Sequence, residues 1–178
     1  MDLYSLMFAV LVSALAAGTD LRTGRIPNVL TYSAVVAGLC LGLTPEAQPA
    51  LSARVVGLIT AFLPAAALFA AGSVGGGDVK LLAAMGAVVG YPLILDVLFY
   101  TILVGAAISL GIIIWKGRSS EAVRGFGRLI ASLPAKGVPK VVPLTDLRVP
   151  FGPAVLAGTV WTIVAPSLRI SARLVGPV

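Results

Sequence analysis

The chain has 178 residues, 58% of them hydrophobic and 11% charged, with a formal net charge of +6 and a mean hydropathy of +1.04. A soluble domain carries roughly a quarter charged residues, so a water-facing fold and a disordered chain are both excluded, and one domain over residues 1–178 is expected. The absence of histidine and the single cysteine, Cys40, remove imidazole bases, Cys/His zinc sites, His-ligated haem and internal disulfides.

A membrane span needs about 20 apolar residues, fewer where its ends reach the interface. Six candidate helices follow in chain order. The first covers Leu3 to Thr19; it begins with Asp2 rather than a basic segment and therefore reads as a helix, not a signal peptide. The second, Val29 to Leu43, is short and holds Cys40, which reads as a small buried hydrophobe. The third runs from about Leu51 to Val74, with a kink expected at Pro64. The fourth, Val79 to Gly90, is too short to cross alone. The fifth is Tyr91 to Trp115 and the sixth Phe151 to Pro166, extending towards Ile170. The fold class expected is all-α: a polytopic membrane protein of about six transmembrane helices.

The cations lie between the apolar runs, where they set orientation and meet anionic headgroups; this argues against a nucleic-acid partner. Arg22 and Arg25 in the first loop, Lys80 beside the third, and Lys116, Arg118, Arg124, Arg128, Lys136, Lys140 and Arg148 in the fifth make 10 of the 13 basic residues. The positive-inside rule places these loops in the cytoplasm and both termini outside. Residues 116–148 form the one long polar segment. Ala122, Val123, Phe126, Leu129 and Ile130 recur there at helical spacing, the pattern of an amphipathic helix on the cytoplasmic leaflet; a solvated basic loop is the alternative.

Chemistry in this chain has to come from carboxylates, hydroxyls, lysines or arginines, and it has seven carboxylates. Asp20 ends the first helix and Asp78 opens the fourth as its N-cap, both at the same predicted membrane edge, where an ionisable group is costly and commonly functional. Either alone is an ordinary interfacial cap. Brought together, two carboxylates cannot both ionise easily, so one keeps a proton and serves as acid while the other activates water. The glycines Gly75, Gly76 and Gly77 free the backbone for positive φ and close packing. Asp96 reads as interfacial, Glu46 as an outer-loop residue, Glu121 and Asp146 as solvated or salt-bridged, and Asp2 as terminal.

At these residues the chain resembles the type IV prepilin peptidases, of the G-x-G-D aspartyl protease class. Asp20-Leu21-Arg22-Thr23-Gly24-Arg25-Ile26-Pro27-Asn28 is similar to their first motif, Gly75-Gly76-Gly77-Asp78-Val79-Lys80 to their second, and Val149-Pro150-Phe151-Gly152-Pro153 to a Pro-Phe-Gly-Pro signature opening the last helix. The resemblance implies a G-x-G-D bundle in the bacterial inner membrane with Asp20 and Asp78 catalytic. Such an enzyme removes the leader from pilin-like precursors at the cytoplasmic face, with no metal or organic cofactor. Around the pair, Ile26, Pro27 and Asn28 would start the second helix, and Pro150, Phe151, Gly152 and Pro153 would shape the sixth near the site. Lys80 would anchor the fourth helix at headgroups or bias the pair. The larger relatives' Cys-x-x-Cys segment and N-terminal extension are missing, so a short Flp/Tad-type peptidase without methyltransferase activity is expected. Its partners would be the precursor and the bilayer; the oligomeric state is not legible. Other classes fit parts of the pattern: a different G-x-G-D intramembrane protease, a transporter or channel, or a non-catalytic pilus-assembly protein.

Overall fold

A computed structural model describes residues 2–44, 47–115 and 151–174, with side chains to residue 165. The described residues are all helical in their regular structure: α1 (Leu3–Thr23), α2 (Asn28–Leu41), α3 (Leu51–Ala70), α4 (Gly76–Val89), α5 (Leu93–Trp115) and α6 (Gly152–Leu174). The helices α1, α3 and α5 are long and apolar enough to cross a membrane; α2 and the stretch Gly152–Ala165 are shorter apolar helices. The segment 116–148 and Pro150 lie outside the described residues.

The bundle is built with small residues inside and large ones outside. Along α1, Leu3, Met7, Leu11 and Leu15 are exposed, while Ser5, Ala9, Val12, Ser13, Ala16 and Ala17 are buried. Lipid tails are as apolar as leucine, so burying a large side chain gains little, whereas small residues let backbones approach and gain dispersion. The centre of the bundle is α4, packed between α3 and α2 with α1 alongside. From Val79 to Val89 every α4 residue except Lys80 is buried. A Cβ at Gly57 on α3 would stand 2.5 Å from the Gly86 carbonyl oxygen of α4, and one at Gly38 on α2 would stand 2.9 Å from the Ala87 carbonyl carbon. Glycine at these crossings is what lets a 14-residue helix, roughly 21 Å long, be enclosed by longer neighbours.

One end of the bundle is tied by Arg54, which is fully buried. Its guanidinium donates to the carbonyls of Pro49 at 2.9 Å and Val88 at 2.7 Å, and to Ser5 Oγ at 2.6 Å. The planar fork thus gathers the last turn of α4, the start of α3 and the start of α1, using the carbonyls a helix end leaves unpaired. At the same end, the Asp2 amide donates to Gln48 O at 2.8 Å and the Tyr91 amide to Ala53 O at 2.8 Å.

Several expectations are revised in detail. α1 continues to Thr23, so Asp20 lies inside its last turn rather than after it; Gly24, in the left-handed region at φ 62, ends the helix by donating its N–H to Asp20 O at 2.7 Å. α3 stays helical through Pro64 and stops at Ala70, short of Val74. Cys40 is exposed on the outside of the bundle, not buried in it: in an apolar solvent an apolar run carries no mark of its inward face. Arg54, inside α3, is the most deeply buried charge among the described residues, because backbone carbonyls at the helix ends pair it.

Candidate active site

Opposite the Arg54 end, the end of α1, the start of α2, the α3–α4 turn, the start of α4 and the start of α6 converge on one cavity of about 820 Å³. Asp20 and Asp78 both line it, and both are half-buried. Among the described residues no other carboxylate lines this cavity.

Each carboxylate is held by a helix start. Asp78 is not the N-cap of α4, as the sequence suggested, but its third residue; Gly75 is the cap. The Asp78 side chain reaches back so that Oδ2 accepts the Gly75 N–H at 3.2 Å. This is the acidic half of a capping box, without a cap side chain to return the bond. It also sets the carboxylate at the positive end of the helix dipole.

Asp20 is positioned from across the fold. Its Oδ2 accepts the backbone N–H of Gly152, at the first turn of α6, at 2.8 Å. The approach requires glycine: a Cβ on Gly152 would meet Ala17 Cα at 2.9 Å, Ala16 O at 3.0 Å and Asp20 Cβ at 3.0 Å. The N–H that reaches Asp20 is one of the donors a helix start leaves without an internal partner. Phe151 lines the cavity beside it, and Pro153 follows in the first turn of α6, where proline is tolerated.

The other motif residues form the rim. Ile26 is buried and packs against Gly77, where a Cβ would lie 3.5 Å from Ile26 Cβ. Pro27 is the N-cap of α2 and Asn28 its first residue. Lys80 Nζ donates to Asn28 Oδ1 at 2.9 Å and sits 5.4 Å from the Tyr32 ring centroid, so within the protein it ties α4 to α2. None of Gly75, Gly76 and Gly77 has positive φ; the positive-φ glycines are Gly24, Gly72 and Gly90. What the triplet provides is the cap position and the close face against Ile26, with Gly76 beside the Phe69 ring. Asp96 is exposed in the first turn of α5, away from the cavity.

Sequence reasoning missed one wall entirely. Thr101, Ile102, Gly105, Ala106 and Ser109 of α5 line the cavity. The signal was present: threonine, glycine and serine at intervals of four in a run otherwise rich in Leu and Ile, one helix face by spacing.

Residues 7–110 match the type IV leader peptidase family. The chain is 33% identical over 121 residues to the prepilin leader peptidase/N-methyltransferase of Burkholderia pseudomallei strain 1026b, and equally to that of strain K96243; each match covers 64% of this chain and 38% of the relative. The chain thus spans well under half the length of these relatives. No solved structure matches. The family match includes both aspartates and ends before Gly152.

Proposed function

Because the chain belongs to the type IV leader peptidase family, we propose that it is a membrane aspartyl endopeptidase that removes the leader from type IV pilin-like precursors, with Asp20 and Asp78 as its catalytic pair. The observation that carries this is that two carboxylates, 58 positions apart in the chain, line one cavity, with no third acid on its walls among the described residues. The base carboxylate takes a proton from water, whose oxygen bonds to the peptide carbonyl carbon. As the C–N bond breaks, the acid carboxyl gives its proton to the leaving nitrogen. One water is consumed, and the pair ends with one proton, now on the other partner.

The finer assignment extends the same reading. The substrate is a Flp/Tad-type precursor, cut at the cytoplasmic face of a bacterial inner membrane with both termini of the enzyme outside. With one cysteine the chain has no Cys-x-x-Cys pair, and we assign it cleavage without methyl transfer; labelled methyl from S-adenosylmethionine should stay off the cleaved pilin. The deciding assay is gel-shift cleavage of a co-expressed pilin precursor by wild type, Asp20→Asn and Asp78→Asn. Asparagine keeps the shape and its carbonyl still accepts the Gly75 or Gly152 N–H, so both variants should accumulate normally and cut nothing. Wild-type cleavage by either variant would end the two-aspartate reading.

A further inference from the structure

The cavity continues past the aspartates into the bundle. A Cβ on Gly158 of α6 would stand 2.5 Å from Thr101 Oγ1, and one on Gly105 would stand 3.6 Å from Ala154 Cβ, so α5 and α6 run antiparallel with Thr101 level with Gly158 and Gly105 level with Ala154. In that register Gly152, the donor to Asp20, is level with the turn around Ala107. Thr101 therefore lies about six residues, roughly 9 Å along the helix axis, deeper in the bundle than the Asp20 carboxylate. The cavity reaches that depth, because Thr101 lines it.

Two further observations bear on what enters. Thr101 is 1% exposed and its hydroxyl has no hydrogen-bond partner. The oxygen is enclosed against the Gly158 backbone of α6, so the Thr101 side chain closes the inner end of the cavity as a packed floor. Ile102 also lines the cavity yet is 67% exposed, which marks it as the mouth, open sideways on the outer surface of α5 where lipid would lie. Above them, towards the level of the aspartates, the α5 wall is Gly105 and Ala106, small residues that allow another backbone to approach closely.

Resting on the peptidase reading above, we propose that this α5 wall is the seat of the precursor's apolar helix. The helix enters sideways past Ile102 and lies along Gly105 and Ala106. The occupant follows from the site: chain running away from a bond held at Asp20 and Asp78 towards the bilayer interior has this groove in its path, and only an apolar segment is stable against lipid on its open side.

Binding is read separately from cleavage in the Asp78→Asn protein, which retains uncut precursor. Benzoylphenylalanine at Ile102 should photocrosslink to the apolar helix of the precursor. The same probe at Leu11, exposed on α1 and absent from the cavity walls, should not. In the active enzyme, Ala106→Trp should lower precursor cleavage at least tenfold and, in the Asp78→Asn background, abolish the Ile102 crosslink. Crosslinking at Leu11 but not Ile102, or wild-type cleavage by Ala106→Trp, overturns the proposal. A crosslink at Ile102 beside a wild type that cuts no precursor would instead refute the peptidase reading while leaving the seat occupied.

Discussion

A methyl group at Gly152 would collide with the α1 backbone at Ala16 and Ala17 and with Asp20 Cβ, none of which is the end of a flexible side chain. Gly152→Ala should therefore push the α6 start off α1 and break the Gly152 N–H bond to Asp20. A hydrogen bond to a charged group contributes about 1.5–3 kcal/mol, so the expected loss of cleavage rate is about tenfold to a hundredfold, measured on precursor at matched protein levels. The Asp78 carboxylate caps α4, and on the proposed reading it also takes part in the chemistry. Asp78→Ala should lose cleavage like Asp78→Asn and also lower thermal stability in detergent by about 1 kcal/mol, which Asp78→Asn should not. On the proposed mechanism the working state of the pair holds one proton. The cleavage rate should fall on the alkaline side as that proton is lost and on the acid side as the base gains one, giving a bell when rate is measured against pH.

Among the helices, α4 carries one aspartate and is held at both ends by side chains from its neighbours. At the site end Lys80 bonds Asn28 on α2. Lys80→Met and Asn28→Ala should each lower the cleavage rate modestly, and the double variant should be no worse than the more affected single one, as expected for two halves of one contact. At the far end Arg54 takes the last α4 carbonyls. Arg54→Met leaves those carbonyls, Pro49 O and Ser5 without their donor, each loss costing about 1–3 kcal/mol. Lysine keeps the charge but not the fork. Thermal unfolding in detergent should rank wild type above Arg54→Lys, and Arg54→Lys above Arg54→Met.

For the molecule as a whole, both aspartates lie at one end and Arg54, Asp2 and Gln48 at the other, an arrangement that matches the alternation of loops in a multi-pass chain. With the site end in the cytoplasm, a Ser73→Cys variant on a Cys40→Ala background should react with a membrane-impermeant maleimide in inside-out vesicles and not in intact spheroplasts. Gln48→Cys, at the Arg54 end, should show the reverse. Both positions are exposed, so failure to label reports sidedness rather than burial.

Local properties were legible from residue order. Hydropathy marks where helices run, because backbone in lipid must satisfy its own hydrogen bonds and a helix does so within one apolar segment. Glycine and proline mark where helices stop, and the two acids stand out because a carboxylate at membrane depth is costly. Hydropathy was silent on which face of each helix turns inward. Lipid and protein interior are equally apolar, so the exposed Cys40 and the buried Ala34 on α2 read alike. For the same reason the sequence by itself determined an all-helical membrane chain with its two candidate aspartates at helix ends. Only the tertiary structure decided what stands against them: the Gly152 N–H on Asp20, the Arg54 fork around α4 and the α5 wall. Each depends on backbone surfaces brought within contact across 33 to 132 positions of chain, a distance no local pattern encodes.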